Sequence, residues 1–363
     1  MKILHLASFN RWTGAAAPAF EEVEALRRAG ADAHYGYVGG SNLEARIGSL
    51  PWTHAILRRE QDPVSLLRTM RALRAFVAGG GFDLVHAHLA HDHWLARLAI
   101  GRLEKRSLVR TFHSRRTLRR DPASRWLLRR TDGICVNNAT FLEDPLLRDR
   151  GALFTPPPVD ERIFRPGSDL RDELGIGRGV PLLGFIGKVA PGRGFEDALD
   201  VHARVRAALP EARLLVVGRG PHRSALEKRA AKLGTADAVV WAGYRDRDLP
   251  EALRAPDVML FTARGSDEGH RAIVEALACG TPVAAYPIYG VRELLGPLAS
   301  RFVARSADPE ALAAVCLDLL AGRITVPPEE CIAATAPSRH APTAERLLDF
   351  YRALPAGRRN AMG

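Results

Sequence analysis

The stretch Gly265-Ser-Asp-Glu-Gly-His-Arg-Ala-Ile-Val-Glu-Ala-Leu-Ala-Cys-Gly-Thr-Pro-Val283 predicts a helix followed by a strand. Asp267 and Glu268 open it, and the small and apolar residues of 272–278 favour a buried helix. Gly280-Thr-Pro282 ends that helix, because glycine suits the left-handed position after a helix and proline cannot continue one. An apolar strand, 283–286, follows directly. A buried helix that leads into a strand is typical of an α/β fold.

The first turn of this helix has the chemistry of an anion site. Unpaired amides and the helix dipole at an N-terminus can hold a diphosphate. Glu275 lies about two helical turns after Asp267, so the two carboxylates share one face and can accept hydrogen bonds from hydroxyl groups. The combination indicates a nucleotide-sugar site. An amphipathic helix whose acids suit its dipole explains the same residues when the segment is taken alone.

Strands and helices alternate along the rest of the chain. Short apolar runs separate segments that carry apolar residues at three- and four-residue spacing, and this order predicts parallel sheets. The predicted strands are 3–6, 33–38, 84–87, 108–112, 133–136, 182–186, 214–217, 238–241 and 258–261, and the predicted helices are 19–28, 63–78, 93–104, 195–209, 222–233 and 342–352.

A proline-rich crossing divides the chain near its middle. Phe154-Thr-Pro-Pro-Pro-Val159 leaves little room for a helix, and 363 residues, 47% of them hydrophobic, are enough for two cores. We therefore predict two Rossmann-like α/β domains, 1–160 and 161–337. The remaining segment, 338–363, is predicted to form a helix that returns to the first domain.

The formal net charge of +11 comes largely from arginines in the first half of the chain. It favours an anionic partner such as nucleic acid, a membrane or a phosphorylated acceptor, although a compositional excess of arginine explains it equally well. The sequence contains no long apolar run, and Met1-Lys-Ile-Leu-His-Leu6 is typical of a strand rather than a signal peptide, so we expect a cytoplasmic protein. The four cysteines are scattered and indicate neither disulfides nor a zinc site.

A glycine-punctuated loop, 187–194, directly follows the predicted strand 182–186. Its glycines allow close approach of the backbone to a phosphate, and Lys188 and Arg193 supply positive charge. The order of a Walker loop is absent. The loop therefore predicts a diphosphate site, with a βα turn carrying two solvated cations as the alternative.

Two further motifs are weaker. Gly218-Arg-Gly220 follows a strand but lacks the third glycine of a dinucleotide fingerprint, so a tight turn is the better interpretation. Asp246-Arg-Asp248 resembles a metal-binding triplet, but Asp248-Leu-Pro-Glu251 has the pattern of a capping box that opens a helix. We expect no metal at this position.

In the first domain, small residues around Gly14 line a predicted βα loop, and His113 stands at the carboxyl end of a strand, the edge where open α/β sheets bind ligands. Histidines also cluster just upstream. We interpret them as a polar edge of a cleft rather than as metal ligands, because no cysteine or well-spaced acid accompanies them. The cluster is His86, His88, His91 and His93.

Together these motifs resemble those of the family 4 glycosyltransferases, retaining sugar-transfer enzymes of the GT-B fold, in which two Rossmann-like domains face each other across a cleft. The likeness extends over nearly the whole chain. The family's G-R-x-x-x-x-K-G loop corresponds to 187–194, with the two basic residues exchanged in type. Its E-x7-E signature corresponds to Asp267 through Glu275. Glu268-Gly-His270 replaces the usual Gly-Phe-Gly, and this leaves the donor sugar open.

The resemblance implies specific roles for these residues. Glu275 would bind the ribose hydroxyls, Lys188 and Arg193 the diphosphate, and Asp267 the transferred sugar, with Glu268 as a substitute. His113 corresponds to the family's T-x-H histidine near the reacting centre. The implied catalytic residues are His113, Asp267, Glu268, Lys188 and Arg193, and the implied donor-binding residues are Gly14, Gly187, Lys188, Arg193, Gly218, Tyr244, Asp267, Glu268, Gly269, His270, Arg271 and Glu275.

The implied activity is retaining transfer of a hexose from a UDP- or GDP-linked donor to a hydroxyl of a glycan or of a lipid-linked or phosphorylated acceptor, as in envelope glycan assembly. Neither a metal nor another cofactor is expected, because cationic side chains and helix amides can stabilise the departing diphosphate. The alternatives are an epimerase or phosphorylase on the same fold, or a nucleotide-sugar binder with little or no turnover.

Basic pairs between Arg115 and Arg130 are interleaved with Leu118, Trp126, Leu127 and Leu128. This pattern favours peripheral contact of the first domain with an anionic membrane at its inner face. We expect no nucleic-acid partner.

Overall fold

A computed structural model describes residues 1–12, 16–58, 62–101, 106–263 and 270–354, which belong to two compact units. The first unit consists of Met1–Pro158 together with the chain from Ser338 onward, and the second of Val159–Pro337. The division falls between Pro158 and Val159, two residues before the position expected from the sequence.

The first unit contains a seven-stranded parallel sheet in the order β3-β2-β1-β4-β5-β6-β7. Chain order therefore reverses between β1 and β4, which lie side by side although they are far apart in sequence. The strands are β1 (Lys2–Leu6), β2 (Asp32–Val38), β3 (Thr53–Leu57), β4 (Leu84–Ala87), β5 (Ser107–Phe112), β6 (Gly133–Val136) and β7 (Leu153–Phe154).

Helices cover this sheet and bury its apolar strands. The helix predicted over 93–104 begins earlier, at Ala90, and its described part ends at Ile100. The helix that begins at Pro122 follows an aspartate, Asp121, whose side chain accepts a hydrogen bond from the amide of Ser124. The helices are α1 (Ala16–Arg28), α2 (Glu44–Ile47), α3 (Pro63–Gly79), α4 (Ala90–Ile100) and α5 (Pro122–Arg129).

The second unit contains a five-stranded parallel sheet in the order β10-β9-β8-β11-β12, with its own reversal between β8 and β11. The strands are β8 (Leu182–Ile186), β9 (Arg213–Val217), β10 (Val239–Gly243), β11 (Val258–Phe261) and β12 (Val283–Ala285). The helices are α6 (Phe195–Ala208), α7 (Arg223–Lys232), α8 (Leu249–Arg254), α9 (His270–Ala278), α10 (Val291–Leu295), α11 (Ala299–Phe302), α12 (Pro309–Leu320) and α13 (Pro328–Ala334).

Helix α9 is the helix predicted from the opening stretch of the sequence. Ile273, Val274 and Leu277 are buried in the core beside β11 and β12. Gly280 ends the helix with a φ of 86°, as the glycine stop predicts. The acidic opening of the stretch, Asp267 and Glu268, lies outside the described residues.

The last helix, α14 (His340–Ala353), belongs to the first unit. Leu347 and Tyr351 on α14 share one buried cluster with Val23 and Leu26 on α1. The return of the C-terminal helix to the first domain is thus confirmed, as is the α/β class with two parallel sheets.

Candidate active site

The reversal of strand order in the second sheet defines where a ligand would bind. Strands β8 and β11 are neighbours, and the connections that leave their carboxyl ends run in opposite directions. In open α/β sheets such a crevice is the usual binding position. The loop 187–194 leaves β8 at this point, and Thr262 and Ala263 leave β11 beside it.

The loop 187–194 is held against the end of β11 by a hydrogen bond from a side chain to the backbone. Thr262 Oγ1 donates a hydrogen bond of 2.6 Å to the carbonyl oxygen of Gly194. Gly194 has a φ of 85°, and a Cβ there would lie 2.5 Å from Thr262 Oγ1. Only glycine fits, so the two connections meet directly. Lys188 is exposed on this loop and Arg193 is half-buried.

Gly218 shapes the loop rather than marking a dinucleotide site. Its φ is 144°, and a Cβ at this position would lie 1.9 Å from the carbonyl oxygen of Gly187. The amide of Gly187 donates to Val217 O at 3.0 Å, so the connections after β8 and β9 are in contact. A Cβ at Gly220 would approach Val189 O to 2.0 Å. Both glycines are therefore needed for close packing of backbone against backbone.

Helix α9 carries a buried ion pair near its N-terminus. Arg271 Nε lies 2.6 Å from Glu275 Oε1, one turn along, and both side chains are nearly inaccessible. The ring of His270 packs on Phe261 with centroids 5.5 Å apart. The predicted donor residues Glu275, Arg271 and His270 are thus brought together at the start of α9. Four other predicted site residues, Gly14, Asp267, Glu268 and Gly269, lie outside the described residues.

Tyr244 presents an aromatic face at the end of β10. It is 48% exposed, and the guanidinium of Arg219 lies 4.6 Å from its ring centroid. Such a face is suited to stacking with a planar base. The capping box predicted after it is wrong: Asp248 occupies the N-cap of α8, but within the described residues its side chain makes no capping hydrogen bond. Its carboxylate binds Arg245 Nη1 at 2.7 Å instead.

His113, the predicted catalytic residue of the first unit, ends a chain of buried hydrogen bonds. His113 Nε2 lies 3.1 Å from His88 Nδ1, and His88 Nε2 lies 2.9 Å from His5 Nδ1. From His5 Nε2 the chain continues to Tyr351 Oη at 3.2 Å, and from there to His86 Nδ1 at 2.6 Å. These side chains, apart from Tyr351 on α14, lie at the carboxyl ends of β1, β4 and β5.

Burial keeps these imidazoles neutral. It lowers the pKa of His5 and of His113 to about 3, and that of His86 and His88 well below the ordinary value. The same burial raises the pKa of Glu22 to about 8. At neutral pH, His113 can therefore offer a neutral donor or acceptor rather than a positive charge.

Sequence reasoning grouped His86 and His88 correctly but missed His5 and Glu22 and added His91 and His93. His91 is exposed, and His93 Nε2 binds Thr131 Oγ1 at 2.8 Å, away from His86 and His88. The missed signal was the pairing of strands, because β1 and β4 lie in parallel with His5 opposite His86. Once the strand order is known, the register brings these rings together.

The basic segment of the first unit exposes its arginines but not its leucines. Leu118 and Leu128 are buried in one cluster with Ile134 of β6, and Leu127 is buried as well. Arg119 and Arg129 are exposed. The ring of Trp126 stacks on Trp94 with centroids 5.9 Å apart. These buried leucines add nothing to the exposed surface of the segment, and contact with a membrane stays a prediction. The exposed surface of this segment is therefore positively charged, with Arg119 and Arg129 on it.

Two family models match the chain. The model described as glycosyl transferases group 1 matches residues 168–335, and the model described as glycosyltransferase family 4 matches residues 12–144. The chain belongs to the family 4 glycosyltransferases. None of its helices in the described ranges combines the length and apolar character needed to cross a bilayer.

Named relatives are glycosyltransferases. A 2-deoxystreptamine N-acetyl-D-glucosaminyltransferase of Streptomyces fradiae is 29% identical over 77% of this chain and 73% of its own length. A 2-deoxystreptamine glucosyltransferase of Streptomyces kanamyceticus is 30% identical over 64% of this chain and 66% of its own. The match to a D-inositol 3-phosphate glycosyltransferase of Segniliparus rotundus, at 33% identity, covers 56% of this chain and 47% of that protein. The chain is accordingly a glycosyltransferase.

Solved structures share the fold. Anabaena HepE in complex with UDP superimposes with a TM-score of 0.79 at 18% identity, over 98% of this chain and 100% of that one. Sucrose-phosphate synthase of Thermosynechococcus elongatus gives 0.72 at 19% identity, over 97% and 98%. The predicted GT-B fold is confirmed by these likenesses.

Proposed function

We propose that this glycosyltransferase moves a hexose, with retention at the anomeric carbon, from a UDP- or GDP-sugar to a hydroxyl of a phosphorylated or lipid-linked acceptor. The donor would bind on the second unit. The observation that carries this proposal is the contact between Thr262 and Gly194, because it joins the cationic loop after β8 to the connection that leads into α9.

The side chains at this position suit a nucleoside diphosphate. Lys188 and Arg193 stand on a loop whose glycines admit a phosphate, and the first-turn amides of α9 add a dipole. Glu275, held by Arg271, would accept hydrogen bonds from the ribose hydroxyls. Tyr244 would stack on the base.

The proposed reaction breaks the bond between the anomeric carbon and the diphosphate oxygen. A bond from the acceptor hydroxyl oxygen forms on the same face, and the hydroxyl proton passes to the departing diphosphate. Lys188 and Arg193 would stabilise the negative charge that develops there, so this step needs no metal ion. By the family resemblance, His113 would contribute a neutral imidazole near the transferred sugar.

Uridine is the first candidate for the base. HepE, which shares the fold, has been solved with UDP and with UDP-glucose. Thermal-shift measurements with UDP, GDP and ADP should rank UDP first, because a ligand that binds only the native state raises its apparent stability. A larger shift with GDP would make guanosine the base.

An anionic acceptor fits the first unit better than a cationic one. Related enzymes are named for 2-deoxystreptamine, an amine-bearing cyclitol, and for D-inositol 3-phosphate. The chain has a net charge of +11, and Arg119, Arg120 and Arg129 are exposed on the first unit. This charge attracts phosphate and repels ammonium groups. When both compounds are offered as acceptors, the rate of sugar transfer to inositol phosphate should therefore exceed the rate of transfer to 2-deoxystreptamine.

The experiment that tests the donor site compares two substitutions. Glu275→Gln removes the carboxylate proposed for the ribose and should abolish the UDP thermal shift and sugar transfer. Glu227→Gln is the matched control, since Glu227 forms the exposed i,i+4 pair with Arg223 on α7. Circular dichroism would establish that both variants fold. An unchanged UDP shift in folded Glu275→Gln would remove the proposed role.

Turnover distinguishes the enzyme from a nucleotide-sugar binder. A transferase incubated with its donor alone should release the nucleoside diphosphate slowly, as water replaces the acceptor. Tight binding of a donor with no release, with or without acceptors, would instead favour a binding protein.

Peripheral contact with an anionic membrane would rest on the exposed arginines alone. Arg129→Glu should weaken co-sedimentation with vesicles that contain anionic lipid, whereas Arg204→Glu on α6 of the second unit should not. Co-sedimentation that is independent of anionic lipid would exclude this contact.

A further inference from the structure

A group of buried side chains that could bind a metal lies in the first unit. His5 is on β1, His86 is on β4 and His88 directly follows β4, while Glu22 reaches them from α1. All four are buried, and each offers a ligand atom within 4.8 Å of those of the others. They lie where strand order reverses in the first sheet.

Three of these atoms have the spacing of a metal's ligands. His5 Nδ1 and His88 Nε2 are 2.9 Å apart, and Glu22 Oε2 lies 3.7 Å from the first and 3.8 Å from the second. A point equidistant from atoms at these separations lies about 2 Å from each, which is the length of a zinc–nitrogen or zinc–oxygen bond.

One carboxyl oxygen of Glu22 is buried without a hydrogen bond among the described residues. Glu22 is 2% exposed, and its Oε2 has no hydrogen-bond partner among the residues that the structure describes. The charged form of a carboxyl group buried in this way is costly, which is why burial raises the pKa of Glu22, and a bound cation would compensate that charge and displace the proton. Two neutral imidazoles face this oxygen without donating to it, so a divalent cation between them would supply the missing partner.

The rings already have the outer partners that ligating histidines need. His5 Nε2 lies 3.2 Å from Tyr351 Oη, and His88 Nδ1 lies 3.1 Å from His113 Nε2. With a metal on His5 Nδ1 and His88 Nε2, each remaining N–H would donate to these atoms. Metal-bound histidines are oriented by such second hydrogen bonds, which also raise their basicity.

We propose that His5, Glu22 and His88 hold a structural zinc ion. His86 has a ligand atom within 4.8 Å of theirs and would become the fourth ligand by giving up one of its hydrogen bonds, to Tyr351 or to Thr111. Imidazole and carboxylate ligands suit zinc. The ion would replace the hydrogen bond between His5 and His88 and would tie β1 and α1 to the end of β4. It takes no part in sugar transfer, but through His88 it would fix the orientation of His113.

Metal content and X-ray absorption of the purified full chain test the proposal. We expect about one zinc per chain, resistant to dialysis, with a first shell of nitrogen and oxygen at about 2.0–2.1 Å. Chelated protein should regain zinc, and Co²⁺ in its place should give the visible absorption of a tetrahedral site. A chain that neither carries zinc nor takes up Zn²⁺ or Co²⁺ would overturn the proposal.

Matched variants locate the ion. Glu22→Gln should lose the zinc, whereas Glu21→Gln should keep it, because the neighbouring carboxylate of Glu21 binds His340 Nε2 at 2.7 Å instead. Tyr351→Phe removes an outer partner and should weaken zinc affinity about 10–100-fold in competition with a chelator.

If Glu22→Gln does not fold, the position of the ion is tested by the zinc affinity of Tyr351→Phe and by the X-ray absorption spectrum of the natural chain. The assignment is overturned if Tyr351→Phe binds zinc as tightly as Glu21→Gln does. It is also overturned if folded Glu22→Gln contains as much zinc as Glu21→Gln, because the ion would then lie elsewhere.

Discussion

Alanine should not be tolerated at Gly218, where the connections after β8 and β9 touch. The substitution would place a Cβ 1.9 Å from the carbonyl oxygen of Gly187, far inside van der Waals contact, at a φ of 144°. Because the neighbouring atom is backbone, relief requires the loop that carries Lys188 to move. Gly234→Ala is the matched control, since Gly234 has a φ of 69° and nothing within 4 Å of its Cβ position.

The magnitudes separate the two variants. Both incur strain at positive φ of about 1–2 kcal/mol. Only Gly218→Ala adds overlap, which costs roughly 1–3 kcal/mol. For a domain of about 150–250 residues, 1 kcal/mol lowers the Tm by about 2–4 °C. Gly218→Ala should therefore melt roughly 2–12 °C below Gly234→Ala.

The assay is thermal unfolding followed by circular dichroism, with and without UDP. Gly218→Ala should also lose most of its UDP shift, because displacement of the loop moves Lys188, whereas Gly234→Ala should keep it. Equal melting temperatures and equal UDP shifts in the two variants would refute the argument that Gly218 sets the geometry of the loop.

Three further predictions concern single side chains. Lys188→Ala should reduce the UDP shift but change the Tm of the free protein little, because Lys188 is exposed. Lys228→Ala on α7 is the control and should change neither quantity. A normal UDP shift in Lys188→Ala would count against the diphosphate site. Thr262→Val should destabilise the protein by about 0.5–1.5 kcal/mol in denaturant unfolding, since it removes one of the two hydrogen bonds that Gly194 O accepts and leaves the one from the Ala198 amide. An unaltered midpoint would show that the contact is dispensable. Burial lowers the pKa of His202, so below about pH 6.5 the folded state binds fewer protons than the unfolded state and the protein loses stability on acidification. His202→Gln should therefore lose less Tm between pH 7 and 5 than the natural chain does. Parallel curves of Tm against pH would contradict this.

Much of the fold could be predicted from the sequence because apolar periodicity and glycine stops are local signals. The strands at 182–186 and 258–261 and the end of α9 at Gly280 follow from the residues themselves. The same holds for the loop 187–194, since a strand, glycines and cations adjoin in sequence.

What the sequence could not provide depends on strand order. His5 and Glu22 join His88 only because β1 lies beside β4, and the need for glycine at Gly218 arises only because two connections touch. Leu127 and Leu128 could equally have faced a membrane or a sheet, because the spacing of apolar residues on a short helix does not say what covers them.

A crystal structure of the full chain with UDP or GDP tests the central claim most directly. The account predicts that the diphosphate lies at the carboxyl ends of β8 and β11, within hydrogen-bond distance of Lys188 or Arg193 and of the first-turn amides of α9, with the Glu275 carboxylate on the ribose hydroxyls. A nucleotide that contacts neither the loop 187–194 nor α9 would contradict it.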